Sequence, residues 1–514
     1  MNTTMIESLS NLPCMILATT ISLISFFFLY YYNYYTKQNG VLLNLPLVGL
    51  LPEVLFNFHG LQTKVTKLLE EKKGTFILKG AWLAQSDILI TSDPANVQHI
   101  MSSSFSNYAK GSDWRKRFDI FGDHSIFNAD FEVWQHNRKI ARGFLSHHQF
   151  HQLLNKIVPD TIEKGLMPVL DHVNRQNIVV DLQDLFKRLT FDFASLIVIG
   201  SNPKSLSVGF PENVFPKALD DACVATCARH FVPESFWRLQ RWLVVGKERK
   251  LSESWKTIDQ FCAEHMSIKR KKLSKSAMAT NEDDDMEEEG FDLLNCYLTG
   301  HEITGPTVPT DKIMRDNITS AYLAIGSTTT STLSWFFWLL SKNPLVEIKI
   351  RRELDKNFHG LDDSSKLVYL HAALCETLRL FPPVPSQLRV PIRPDTLPSG
   401  HHVDDKTNIM ISLYAMARMV SVWGEDCCEF KPERWITEDD RIKHEPAHKF
   451  FSFNAGPRIC IGKDIAFTLM KSVAATIMNS YDVKVVESHP VVPNLSTVFG
   501  MKHGLMARVN NRYA

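Results

Sequence analysis

Ten residues, Phe453-Asn454-Ala455-Gly456-Pro457-Arg458-Ile459-Cys460-Ile461-Gly462, constrain this chain more than any other segment. Gly456 and Gly462 give a tight turn and let the backbone pass close to a flat partner. Beyond them, Lys463 to Ser480 has the apolar spacing of an amphipathic helix, which puts Cys460 near a helix N-terminus. There the positive end of the dipole and the free N–H groups stabilise a thiolate, and Arg458 adds a cation nearby. A single cysteine is ordinarily a small buried hydrophobe, and the other eight of the nine cysteines read that way. Cys460 reads instead as a thiolate held ready for a ligand.

The rest of the chain must form a core large enough to carry that loop. With 514 residues, 44% of them hydrophobic, it can do so. Lys plus Arg number 57 and Asp plus Glu 56, a net charge of +1 that speaks against a nucleic-acid partner. The cysteines are scattered, odd in number and without a CxxC pair, as expected for reduced thiols facing the cytosol.

Leu12 to Tyr32 is a mostly apolar run, with no charge between Glu7 and Lys37. That is close to the ~20 residues a bilayer-spanning helix needs. Tyr30, Tyr31, Tyr32, Tyr34 and Tyr35 fall where an interfacial aromatic belt would lie, and lysines 37, 64, 67, 72 and 73 follow. The positive-inside rule then places the bulk of the chain in the cytosol. A cleaved signal peptide would carry basic residues before its apolar stretch, and none precedes Lys37. The expected organisation is an anchor over 1–36, a proline-containing hinge over 37–52 and one catalytic domain over 53–514.

Within that domain, Thr75–Leu78 and Ile88–Thr91 read as strands, and helical periodicity dominates beyond Asp93. The acidic stretch Asn281 to Glu289 reads as a solvated surface linker. Ile318 to Leu340 reads as a long buried helix despite six consecutive hydroxyls, Ser327 to Thr332. Buried hydroxyls must bond back to the helix or find partners, and a site is one reason to keep them.

The segment around Cys460 matches the Phe-x-x-Gly-x-Arg-x-Cys-x-Gly signature of cytochromes P450 at every fixed position, from Phe453 through Gly456 and Arg458 to Cys460 and Gly462. Further segments carry the resemblance. Glu376-Thr377-Leu378-Arg379 with Pro432-Glu433-Arg434-Trp435 looks like the family's ion network, and Trp134 with Arg138 like its Trp-x-x-x-Arg helix. Phe127-Asn128-Ala129-Asp130, Tyr414 to Met419 and Trp423 to Asp426 are similar to the plant clan that hydroxylates fatty acids and alkanes, nearest to the midchain-alkane hydroxylases.

The resemblance implies a mainly α fold with a small β-rich region, the cytochrome P450 fold, preceded by one N-terminal transmembrane helix. It implies haem b (iron protoporphyrin IX), with Cys460 as its metal ligand and Phe453, Gly456 and Arg458 in the binding loop. Trp134 and Arg138 would bond the haem propionates, while Glu376, Arg379 and Arg434 would lock the core without touching substrate. Ala324-Ile325-Gly326-Ser327-Thr328-Thr329 stands where the family activates oxygen. Thr328 keeps the usual threonine; Ile325 replaces a glycine, and Ser327 replaces an acid.

The implied activity is insertion of one atom of O2 into a lipophilic substrate: a long-chain alkane, a fatty acid or a related metabolite. Electrons would come from an NADPH-cytochrome P450 reductase, which binds the NADPH itself, at the endoplasmic reticulum membrane. The same family also contains oxidative phenol-coupling enzymes of alkaloid metabolism, and the changes at Ile325 and Ser327 favour that rival. A non-enzymatic membrane haem protein is the second alternative.

Overall fold

The computed structural model describes residues 19–20, 22–23, 25–27, 51–78, 87–278, 290–300, 303, 308–494 and 496–512. Most of the expected anchor and hinge, and the acidic linker, lie outside these residues. Among the described residues no helix is long and apolar enough to cross a membrane. The hinge expected to reach Pro52 ends sooner, because helix α1 (Leu51–Glu71) already includes that proline. At the first turn of a helix the missing N–H of proline leaves no bond unmade.

The fold is mainly helical. The helices that position the site are α2 (Phe131–Ser146), α3 (Leu182–Val198), α4 (Val214–Ala228), α5 (Gly246–Met278), α6 (Asp311–Tyr322), α7 (Thr328–Lys342), α8 (Val368–Leu380) and α9 (Lys463–Ser480). Helix α3 is buried on nearly every face and starts on Asp181, whose side chain accepts from Gln183 N–H. Helix α6 starts in the same way on Thr310, which accepts from Ile313 N–H. Such caps satisfy amides that have no partner within the helix.

Helices α6 and α7 run on through a π turn, Leu323–Ser327, so the single helix expected here carries a bulge at its centre. Its hydroxyls are satisfied locally. Thr319 donates to Arg315 O (2.8 Å), Ser320 to Asp316 O (2.7 Å) and Thr332 to Thr328 O (3.0 Å). Ser331 reaches Phe499 O instead (2.8 Å).

The strands are β1 (Thr75–Leu78), β2 (Ile88–Thr91), β3 (Tyr108–Ala109), β4 (Val180–Asp181), β5 (Ser386–Pro391), β6 (Asp395–Thr396), β7 (His402–Val403), β8 (Asn408–Ser412), β9 (Tyr481–Val485) and β10 (Met506–Asn511). The larger sheet has the order β1-β2-β8-β5-β3, with β2 and β8 parallel (Ile88 opposite Asn408). Both strands expected from the sequence are present and pair antiparallel, Thr75 opposite Thr91. The pairing of β3 with β5 sets Ala109 opposite Val390, which brings Lys110 and Arg389 to one edge of the sheet.

The expected ion network is closed. Glu376 is wholly buried and accepts from Arg379 Nε (2.7 Å) and Nη2 (2.8 Å), Trp435 Nε1 (2.8 Å), Lys431 N–H (3.2 Å) and Arg434 Nε (3.4 Å). Arg379 also donates to the carbonyls of Ala417, Cys427 and Glu429. Arg434 reaches the carbonyls of Trp423 and Asp426 and the Asp426 carboxylate. Neither sign of charge is left without a partner.

Candidate functional site

The loop ahead of α9 is fixed by backbone geometry. Gly456 has φ +59°, and a Cβ there would stand 1.8 Å from the Met101 carbonyl oxygen, so only glycine fits. The N–H of Cys460 donates to Phe453 O (2.7 Å) and that of Ile459 to Gly456 O (3.0 Å), closing the turn. Gly462 has a different role from the one its sequence suggests. Its φ is −95°, it precedes the first turn of α9, and nothing lies within 4 Å of where its Cβ would be. It keeps the cavity open beside the cysteine.

Cys460 lines an interior cavity of about 390 Å3. Burial pushes its thiol up, while the Gly462 N–H, Arg138 and Lys463 pull it down. Arg458, expected to be the nearby cation, is engaged elsewhere. Its Nη2 donates to Asp130 Oδ1 and to Ala129 O, both at 2.9 Å, and its guanidinium lies 4.6 Å from the Trp134 ring centre. The cations acting on the sulfur are Arg138, whose Nη2 donates to Ile459 O (2.5 Å), and Lys463. Trp134 and Arg138 share a face of α2, 5.6 Å apart from guanidinium to ring centre.

Two more cations complete this edge of the cavity, and sequence reasoning missed both. Lys110 lies 3.8 Å from the Trp114 ring centre and donates to Gln387 Oε1 (3.3 Å). Arg389 is completely buried in β5 and donates from Nη1 to Leu388 O (2.6 Å). Burial, with Arg458 adding repulsion, pushes Arg389 down to about 9; burial likewise takes Arg458 down to about 10 and Lys110 well below the usual lysine range. A guanidinium stays charged in proteins, so the depression reflects cations short of counter-charge. Arg389 Nε and Nη2 and Arg458 Nε are buried with no hydrogen-bond partner among the described residues. Asp130 is the carboxylate that reaches this group, and it is already bound to Arg458.

The opposite wall is the bulged helix. Ala324, Ile325, Thr328 and Thr329 face the cavity, joined by Phe118, Phe121 and Val498. Thr328 Oγ1 donates to Ala324 O (2.7 Å). Ser327, expected beside Thr328 in the oxygen site, does not line this cavity. It lines, with Gly326, a second cleft on the far side of the helix.

The cytochrome P450 family model matches residues 40–506. The chain belongs to the cytochrome P450 family. It is 41% identical over 488 residues to alkane hydroxylase MAH1 of Arabidopsis thaliana, covering 94% of this chain and 96% of that protein. It is 39% identical over 494 residues to noroxomaritidine synthase 1 of Narcissus pseudonarcissus (93% and 92% covered). Cytochrome P450 86B1 of Arabidopsis thaliana is 38% identical over 486 residues (91% and 85% covered). Membership makes the protein a monooxygenase-type oxidoreductase with a haem cofactor.

The residues present fit that group. A P450 haem brings a flat apolar ring, an iron and two propionate carboxylates. The cavity offers a cysteine sulfur at an open glycine, mostly apolar walls, and at one edge four cations, two of which, Arg389 and Arg458, have unmade N–H bonds. Charge-assisted bonds from arginine to a carboxylate are the strong kind, and two carboxylates at this edge would satisfy the orphaned donors.

Proposed function

We propose that this P450 hydroxylates a long, neutral hydrocarbon chain, taking electrons from an NADPH-cytochrome P450 reductase. The observation that carries this reading is the charge map of the cavity. Its charged residues are Lys110, Arg138, Arg389 and Arg458, all at the propionate edge, and among the described residues no aspartate or glutamate lines it. A protonated amine would find no counter-charge there, and burying one unpaired is costly. A free carboxylate would compete with haem for the same cations. Away from that edge a neutral chain meets mostly aromatic and aliphatic walls with a few uncharged hydroxyls and amides.

In this reading Cys460 holds the iron, and Trp134, Arg138, Lys110, Arg389 and Arg458 hold the propionates. When bound, haem supplies the binding and reduction of O2, which a thiolate ligand favours by pushing electron density toward the O–O bond. Phe453 and Gly456 shape the loop beneath it. Ile325 would narrow the cavity beside Thr328, and Phe118, Phe121 and Val498 would exclude water from the chain to be oxidised. Thr328, whose hydroxyl donates to Ala324 O, would turn from that carbonyl to present its proton in the cavity.

The test is a paired incubation with reductase, NADPH and labelled O2. An alkane should give labelled alcohol, while the fatty acid of equal length and a phenolic amine should turn over far more slowly. Preferred turnover of the amine, with loss of two hydrogens and no label, would establish the coupling reading instead. That second reading is favoured by Ser327, which replaces an acid, and by the similarity to noroxomaritidine synthases.

The length and charge of the N-terminal run support an endoplasmic reticulum anchor over 1–36 with the catalytic domain 53–514 in the cytosol. Protease added to sealed microsomes should then digest the domain; full protection would contradict this placement.

A further inference from the structure

The bulged helix separates two spaces of opposite character. On one side is the mostly apolar cavity; on the other is a cleft of about 510 Å3, lined by polar groups that include Lys187, Thr190, Asp220, Ser327 and Thr330. Consecutive residues on a helix face different ways, and here Ser327 lines the cleft and Thr328 the cavity. Gly326 leaves the backbone bare between them, and a Cβ there would stand 3.8 Å from Thr190 Oγ1. Val498 belongs to both walls, so the partition is thin.

The cleft is built to hold water. It is polar, far larger than one water needs, and meets solvent at the ion pair Lys187 Nζ–Asp220 Oδ2 (2.5 Å), whose side chains are 30% and 42% exposed. Inside, Thr190 Oγ1 and Thr330 Oγ1 share a hydrogen bond (2.9 Å), either able to donate. Ser327 and Thr330 are three apart on the helix and so are neighbours on its surface.

Oxygen insertion consumes protons: RH + O2 + 2 electrons + 2 protons gives ROH + H2O. The coupling reaction consumes the same two protons and returns two waters. Among the described residues no carboxylic acid lines the cavity to provide them. We propose that the cleft is the proton inlet of this enzyme: Asp220 exchanges protons with solvent, and Ser327 is the positioning residue that passes them, through cleft water, to the Thr328 side. The acid usually carried by the helix is thereby moved to α4. This inference rests on the oxygen chemistry common to both readings above, not on the substrate.

Two measurements test it. The Ser327→Cys variant should react with a small cationic thiosulfonate added to the haem-loaded protein, above the parent's own cysteines, while Thr328→Cys should not. Ser327→Ala and Asp220→Asn should each keep the thiolate-type carbon-monoxide band. Each should release more peroxide per NADPH without substrate and show a larger solvent deuterium effect. Product per NADPH should fall about tenfold, below the usual ~10²–10⁴ for a proton-transfer group because water remains. Asp220→Glu should restore the parent values. No labelling at Ser327→Cys overturns the proposal. So does labelling with unchanged peroxide yield and isotope effect in both other variants, which would make the cleft wet but not the route. Labelling and peroxide release need no substrate, so a wrong substrate assignment leaves them readable.

Discussion

Two clusters of buried charge hold the Cys460 loop from either side, and they are built on opposite plans. Around Glu376 every donor and acceptor is met within the chain, by Arg379, Arg434, Trp435 and backbone. Around Arg389 and Arg458 the cations outnumber the carboxylate that reaches them, and three N–H groups are unmet. Ser452 Oγ ties the loop to the first cluster through Leu378 O (2.7 Å), and Arg138 ties it to the second through Ile459 O. A buried ionic group that is complete maintains shape. One that is incomplete by two or so negative charges is a binding site, and the deficit describes its ligand.

The largest effect is expected between the clusters. Cys460→Ser should leave both intact, with unchanged far-ultraviolet circular dichroism. It should abolish the red-shifted Soret band of the reduced carbon-monoxide complex, because a hydroxyl is too weak an acid to replace a thiolate. Retention of that band would end the assignment of Cys460.

Breaking the closed cluster should come next. Glu376→Ala leaves the buried Arg379 guanidinium without a carboxylate, Arg434 keeping Asp426, and removing one partner of a buried pair costs about 3–5 kcal/mol. Denaturant unfolding of the haem-free protein should show that loss. A change below ~1 kcal/mol would mean the cluster is not the lock that its bonding indicates.

The open cluster should respond in the reverse sense. Arg389→Met removes an unsatisfied cation, so the haem-free protein should be unchanged or more stable, by up to ~1 kcal/mol. The same change should weaken haem retention by about 1.5–3 kcal/mol, the worth of a hydrogen bond to a charged group, read as faster transfer of haem to an acceptor protein. Equal destabilisation with and without haem would erase the contrast between the clusters.

The smallest effect is a pH dependence beside the open cluster. Burial, then Arg117, Lys110 and Arg229, pushes His230 down to about 3; Arg117 Nη1 lies 3.2 Å from its Nδ1. Because the folded value lies below the unfolded ~6.5, the unfolded chain binds more protons between pH 6.5 and 3. Stability from this residue is therefore full above pH 6.5 and is lost as pH falls through that window. Between pH 7 and 5 the haem-free protein should lose up to about 2 kcal/mol that His230→Phe does not lose; equal losses would remove His230 as the source.

What was legible in the sequence follows from how far apart the cooperating residues lie. The Cys460 turn and the Glu376–Arg379 pair are each local, so spacing alone puts their parts together. The two strands at 75–78 and 88–91 were likewise readable from their own residues. Lys110 and Arg389 were not, because they meet only after β3 pairs with β5 across the sheet. Arg458 was placed beside the sulfur by sequence proximity, yet its partner Asp130 comes from the start of α2. Ser327 was set beside Thr328 because the two adjoin in sequence, but consecutive helical residues point about 100° apart, and only the spaces on either side of the helix show which one each lines.

The contact between Gly456 and Met101, and the bonds from Arg458 to Asp130 and Arg138 to Ile459, span great lengths of chain; the last two join residues 328 and 321 positions apart. Ribosomes add about 5–20 residues per second, so Asp130 and Arg138 emerge roughly 15 to 65 seconds before the cysteine loop that they will hold. During that interval one half of the haem site exists without the other. A nascent chain arrested ahead of the Cys460 loop therefore has Lys110, Arg138 and Arg389 but neither Arg458 nor the iron ligand, and cofactor capture must wait until the last part of the catalytic domain is made.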